Sequence, residues 1–84
     1  MSSSKVWSVY ILRCSDDTLY TGIAVDLPKR LDAHSRGVAA KYTRSRRPVT
    51  LAYEEPLPDR SSAQKREAAL RRLGRAGKLA LIAR

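Results

Sequence analysis

Residues 9 to 34, VYILRCSDDTLYTGIAVDLPKRLDAH, constrain this chain more than any other stretch, because they read as strand, turn, strand and helix in immediate succession. Val6 to Cys14 are rich in β-branched and aromatic side chains, the composition of a strand buried on much of both faces. SDDT supplies turn residues, and LYTGI returns as a second strand to make a hairpin. Gly22 interrupts that second strand, which marks a bulge or a close approach by another backbone or a ligand. Asp26 is placed to cap the helix that follows, and Pro28 is tolerated in its first turn.

The apolar stripe of that helix should run through positions 27, 30, 31 and 34. The residues there are Leu27, Arg30, Leu31 and His34, so a guanidinium and the chain's single histidine stand on the core-facing stripe. SRGVAAKYTRSRRP then reads as a loop carrying Lys41, Arg44, Arg46 and Arg47. VTLAYEE alternates like a half-buried third strand. After the proline breaks of PLPDRSS, Ser61 with Gln64 reads as a capping box opening a second long helix. Ala63, Glu67, Leu70 and Gly74 share one face of it, which again sets a charged group on an apolar stripe. KLALIA closes the chain as a short helix. The fold class expected is α+β, β-β-α-β-α, with a small three-stranded mixed or antiparallel sheet and helices packed on it. Residues 1–5 are expected to fray, leaving one domain over 6–84.

Charge limits the function classes. Lys plus Arg number 17 against 8 acids, a net charge of +9. Such an excess attracts polyanions, nucleic acid before an acidic membrane surface, with a plain solubility charge as the bland alternative. Cys14 has no partner for a disulfide and reads as a buried thiol of a reducing compartment. No stretch is long and apolar enough to span a bilayer, and the expectation is a cytoplasmic protein with no membrane partner.

Taken singly, Tyr10, Tyr20, Arg30, His34 and Glu67 all have structural explanations, Glu67 as the partner of Arg71 among them. Together they make a coherent set. Arg30 and His34, four apart, leave the same helix face. A guanidinium there can hold a phosphate oxygen and offset developing charge, and an imidazole can accept or relay a proton near neutral pH. A tyrosine can position water or act as a base. Glu67 supplies one carboxylate for a cation such as Mg²⁺, which also binds waters and substrate phosphate. Gly-rich phosphate loops, CxxC, HExxH and a serine triad are all missing, which leaves phosphodiester hydrolysis.

The order of these residues resembles the GIY-YIG nuclease family. SVY with Tyr10 and YTG with Tyr20 and Gly22 stand for its two strand tripeptides, RLDAH for its Arg-x-x-x-His helix, and SSAQKREAALRRL supplies Glu67. Ser8 and Val9 replace the first glycine and isoleucine, and Asp26 stands where many members have asparagine. The likeness covers residues 6 to 82. Its length and single-domain form are similar to the small standalone members, and the Arg30 to Glu67 stretch to the nuclease domain of structure-specific endonucleases. The resemblance implies one-metal DNA cleavage with Mg²⁺ or Mn²⁺ on Glu67. It implies Tyr10 as base or water-positioning phenol, His34 taking or relaying its proton, Tyr20 as second phenol and Arg30 on the phosphorane. It also implies a specificity-conferring protein partner, since many members owe their substrate choice to an added domain or partner.

DNA is expected to run along Gly22, the loop residues Lys41, Arg44, Arg46 and Arg47, and a helix face with Lys65, Arg66 and Arg71, continued by Arg72, Arg75 and Lys78. Branched, flap or single-stranded DNA is the expected substrate. The alternatives are a non-catalytic DNA- or RNA-binding module and, more weakly, an adaptor for an acidic protein. One geometric demand follows. A two-residue turn at Asp16-Asp17 would send Tyr10 and Tyr20 to opposite faces, so an odd-length loop or a bulge, such as one near Gly22, must bring them together.

Overall fold

β1 (Trp7–Arg13) occupies the centre of the fold because both of its faces are apolar: Val9 and Ile11 point to one side, Tyr10 and Leu12 to the other, and all four are fully buried. The structure, a computed structural model, describes residues 6–84; the fraying expected over residues 1–5 lies outside them. β2 (Leu19–Ala24) and β3 (Thr50–Leu57) flank β1 in the order β2-β1-β3. Both pairings are antiparallel, which resolves the mixed-or-antiparallel alternative. β3 is an edge strand, the place where Pro56 can be accommodated inside a strand.

The hairpin supplies the odd count that the two phenols require. Cys14 N–H donates to the Thr18 carbonyl and Asp17 N–H to the Cys14 carbonyl, each at 2.9 Å, so Ser15, Asp16 and Asp17 form a three-residue loop. Asp17 takes the left-handed conformation at φ 66°, as the last residue of such a loop does. Asp16 braces the turn by accepting from Thr18 N–H and Oγ1. Tyr10 is thereby paired with Gly22, and Leu12 with Tyr20, which puts both phenols on one face. The sheet's bulge lies elsewhere, between β1 and β3, where Ile11 pairs with Tyr53 but Leu12 with Leu51, skipping Ala52.

Helices cover both faces of the sheet. α1 (Leu27–Ser35) seats Leu27 and Leu31 against Tyr10, Leu12, Ala24 and Tyr20. Its N-cap is Asp26, whose carboxylate accepts from Lys29 N–H at 3.2 Å, with Pro28 in the first turn as the sequence suggests. α3 (Arg60–Arg72) and α4 (Gly74–Ile82) cover the opposite face through Leu70, Leu81 and Ile82, packed on Val9, Ile11 and Ile23.

The structure departs from the sequence expectations at three places. The expected capping box at Ser61 and Gln64 does not open α3. Asp59 does, accepting from Ser62 N–H at 2.8 Å, because a carboxylate already in extended backbone reaches the first-turn amides. The loop after α1 contains a single helical turn, α2 (Lys41–Arg44). Gly74 does not extend the α3 face; at φ +71° it breaks the helix, and α4 starts there, earlier than KLALIA suggests. Among the described residues no helix is long and apolar enough to cross a membrane.

Candidate active site

α1 brings its anomalous stripe onto the phenols. His34, in the last turn of α1, is fully buried, while Arg30, one turn earlier, is exposed. Tyr10 Oη lies 2.8 Å from His34 Nε2. Tyr20 packs edge-on against the same imidazole, with ring centroids 5.4 Å apart, and Tyr10 does so at 5.8 Å. The imidazole therefore sits between two phenols from neighbouring strands.

Gly22 explains how the Tyr10 ring fits. A Cβ at position 22 would lie 2.6 Å from Tyr10 Oη and 2.8 Å from its Cζ, closer than any such contact permits. The close approach expected at this glycine is that of a phenol side chain, and Gly22 itself is buried. As placed, it shapes the site from below and offers no surface for DNA.

The electrostatics follow from burial. Tyr10 is pushed up to about 12, first by desolvation and next by Tyr20, while Arg30 pulls it down and the Glu67 charge raises it. Burial, and then the positive charge of Arg30, hold His34 below its ordinary 6.5. At neutral pH the pair is a neutral phenol and a neutral imidazole. Arg30 and Glu67 are both near enough to act on the phenol, so the sequence's five-residue set converges on Tyr10 from four elements.

Glu67 is engaged already. Its Oε2 accepts from Arg71 at 3.0 Å, and the same Arg71 nitrogen donates to the Thr21 carbonyl at 3.2 Å. Among the described residues no three His, Cys, Asp or Glu side chains gather into a metal cage. A single partly exposed carboxylate fits a hard cation that keeps most of its waters and takes further oxygens from a phosphate.

The basic residues divide into two groups. Arg46 is tied to Asp16 at 3.0 Å and to the Tyr42 carbonyl, Arg47 to the carbonyls of Arg44 and Ser35, Arg66 to Glu55, and Arg75 to Asp17. Lys41, Arg44 and Lys65 are exposed, and their head groups make no hydrogen bond among the described residues. Two further residues belong to the site and have no separate sign in the sequence. Thr43 of α2 is fully buried with Oγ1 2.8 Å from His34 Nδ1. Tyr42 stacks on Tyr20 at 5.8 Å, with the Arg46 guanidinium 3.9 Å from its ring centre. The local pattern shows only a basic loop there, and neither contact has a helical or strand spacing to betray it.

Comparison with known proteins bears on the family and the fold. The model of the GIY-YIG catalytic domain matches residues 6–80. A UPF0213 protein of Xanthomonas axonopodis pv. citri (strain 306) is 48% identical over 82 residues, covering 98% of this chain and 80% of that protein. One from Syntrophus aciditrophicus (strain SB) is 53% identical over 75 residues, covering 88% of this chain and 86% of its own length. The solution NMR structure of a UPF0213 protein from Bacillus halodurans is 36% identical. It superposes with a TM-score of 0.60, covering 93% of this chain and 83% of that one. The family match supports a nuclease-type function with nucleic acid as substrate, and GIY-YIG nucleases generally depend on divalent metal. With the phenols, the Arg-x-x-x-His helix and Glu67 gathered on one small sheet, this chain belongs to the GIY-YIG catalytic domain family, among its small UPF0213 proteins.

Proposed function

We propose that this protein is a divalent-metal-dependent endonuclease that hydrolyses phosphodiester bonds in branched, flap or single-stranded DNA, using one metal ion. The observation that carries this reading is the buried 2.8 Å contact between Tyr10 Oη and His34 Nε2, with Tyr20 edge-on to the same ring.

A water attacking phosphorus must lose a proton, and the phenol of Tyr10, fully buried at rest, can take it only if the water gains access to Oη and the phenol's own proton leaves. His34 is the receiver, since burial and Arg30 keep it neutral at neutral pH. The resting proton belongs to Tyr10, whose ionisation lies near 12, so transfer to His34 accompanies the attack and does not precede it. The new oxygen–phosphorus bond forms as the bond to the leaving oxygen breaks, and solvent returns a proton to that oxygen. Arg30, exposed on α1, offsets charge on the equatorial oxygens. Tyr20 orients the water or the scissile phosphate. Glu67 would hold Mg²⁺ or Mn²⁺, which when bound neutralises phosphate charge. Lys41, Arg44 and Lys65 hold the DNA backbone, and a protein partner adds specificity. The single buried Cys14 suits a reducing cytoplasm.

A second reading, a nucleic-acid-binding module without turnover, is favoured by one fact: Glu67 already has a cationic partner in Arg71. Cleavage of labelled single-stranded, duplex, flap and four-way-junction DNA with Mg²⁺ or Mn²⁺ decides between them. Metal-dependent products that Glu67→Ala and Tyr10→Phe abolish, with DNA binding retained, establish the nuclease. Binding without cleavage on every substrate establishes the module.

A further inference from the structure

Thr43 lies in α2, a single turn within the basic loop, yet it is fully buried. Its Oγ1 is 2.8 Å from His34 Nδ1 and donates to the Ala40 carbonyl at 3.2 Å. On the other side of the ring, Nε2 meets Tyr10 Oη at 2.8 Å. Which ring nitrogen carries the proton of a neutral imidazole is set by the bond that the other one makes.

Only one placement satisfies every donor. With the proton on Nδ1, the phenol donates to Nε2, Nδ1–H donates to Thr43 Oγ1, and the threonine hydroxyl donates to Ala40. With the proton on Nε2, that N–H points at Tyr10 Oη, and the phenolic hydrogen needs another acceptor. Tyr10 is fully buried, His34 Nε2 is the one acceptor within hydrogen-bond reach of Oη among the described residues, and the Arg30 guanidinium that also bears on Oη can only donate. A buried donor without a partner is the costlier state. The Ala40 carbonyl does not decide the matter, because it also accepts from Arg44 N–H. The phenol does.

We infer that Thr43 is a positioning residue that holds His34 in its Nδ1–H tautomer and so keeps Nε2 bare to receive the Tyr10 proton. The functional meaning of this assignment rests on the nuclease reading; the assignment itself does not. A residue outside the phenol, arginine, histidine and glutamate set thus decides whether the relay points the right way. Its sequence position gives it that role: α2 follows α1 closely enough for position 43 to reach back nine residues to position 34.

The test uses the full chain labelled with ¹⁵N. His34 is the only histidine, so its two ring nitrogens are identified without ambiguity by long-range ¹H–¹⁵N correlation. At neutral pH the wild type is expected to show a protonated Nδ1 and an unprotonated, hydrogen-bonded Nε2. Thr43→Val keeps the shape and removes the acceptor, and should move the proton wholly or partly to Nε2. In the same variant kcat should fall about 10- to 100-fold, the usual effect of losing a group that orients an imidazole. KM and DNA affinity should stay within about twofold, because no ground-state contact to substrate is lost. Thr43→Ser restores the hydroxyl and should restore both spectrum and rate. A wild-type spectrum with the proton on Nε2 overturns the inference, as does a Thr43→Val protein that keeps both the Nδ1–H pattern and its kcat. If Thr43→Val does not fold, the wild-type spectrum decides alone. If the wild type cleaves nothing, the nuclease reading falls while the tautomer still stands or falls on the spectrum.

Discussion

Glu67 and Arg71, one turn apart on α3, form a 3.0 Å ion pair whose arginine nitrogen is shared with the Thr21 carbonyl of β2. The carboxylate expected to take a metal ion is thus held by a guanidinium that is itself moored to the sheet. A cation arriving at Glu67 competes with Arg71 for it. Arg71→Ala should therefore tighten Mn²⁺ binding roughly two- to fivefold, the range for a half-exposed i,i+4 pair worth about 0.5–1 kcal/mol. Mn²⁺ titration followed by electron paramagnetic resonance checks this, and unchanged or weaker binding would show that Arg71 positions Glu67 for the metal instead of competing.

Gly22→Ala is expected to break the site with one methyl group. The added carbon would meet Tyr10 Oη at 2.6 Å, and the ring must move off His34 to make room. Overpacking of this kind costs about 1–3 kcal/mol, visible in urea denaturation. Cleavage should fall further than the stability loss explains. Wild-type activity from a folded Gly22→Ala protein would mean that the Tyr10–His34 contact is dispensable.

On the nuclease reading, His34 should set the acid limb of the rate. Its pKa is lowered in the folded protein, so the neutral acceptor persists to below the ordinary 6.5. The cleavage rate should hold through neutral pH and decline only below that value, as Nε2 is protonated. Stability follows the same sign: the lowered group contributes its full share above 6.5 and loses it as pH falls through the folded value. The pH profiles of kcat and of the unfolding free energy test both. A rate that already fades above pH 7 would contradict the assignment.

DNA affinity should respond unequally to loss of basic residues. Lys41, Arg44 and Lys65 have exposed heads with no protein partner among the described residues, whereas Arg46, Arg66 and Arg75 are bound to Asp16, Glu55 and Asp17. Alanine at each of the first three should lower the slope of log affinity against log salt by about 1. Alanine at Arg66 should instead lower stability and leave the slope nearly intact. Fluorescence anisotropy across a salt series separates the two groups.

What the sequence discloses and what it withholds divide along the range of the interactions. The α1 stripe is legible because Arg30 and His34 interrupt an apolar period that is otherwise easy to follow. The Asp26 cap is a local matter too, and so is the requirement that an odd-length loop bring Tyr10 and Tyr20 to one face. Thr43 is invisible by the same logic: its partner is nine residues away, across a turn with no capping side chain. The basic loop looks like one continuous surface for DNA, yet Arg46 is claimed by Asp16 thirty residues earlier and Arg75 by Asp17 fifty-eight residues earlier. Those pairings come into being only when the hairpin tip and the later helices meet. At α3 the sequence pattern points to Ser61, and the cap is Asp59 two residues earlier, whose carboxylate accepts from Ser62 N–H.

The pairing of Tyr10 with Gly22 and of Leu12 with Tyr20 makes the site a matter of parity. Sliding β2 by one residue along β1 would carry Tyr20 and Gly22 to the face of Val9 and Ile11. His34 would be left with one phenol, and Thr21 or Ile23 would stand opposite Tyr10 in place of the glycine its ring requires. The tip at Ser15, Asp16 and Asp17 can drift in length as long as Cys14 still faces Thr18, because opposed residues share a face whatever joins them. What this design cannot absorb is a slip between its two strands.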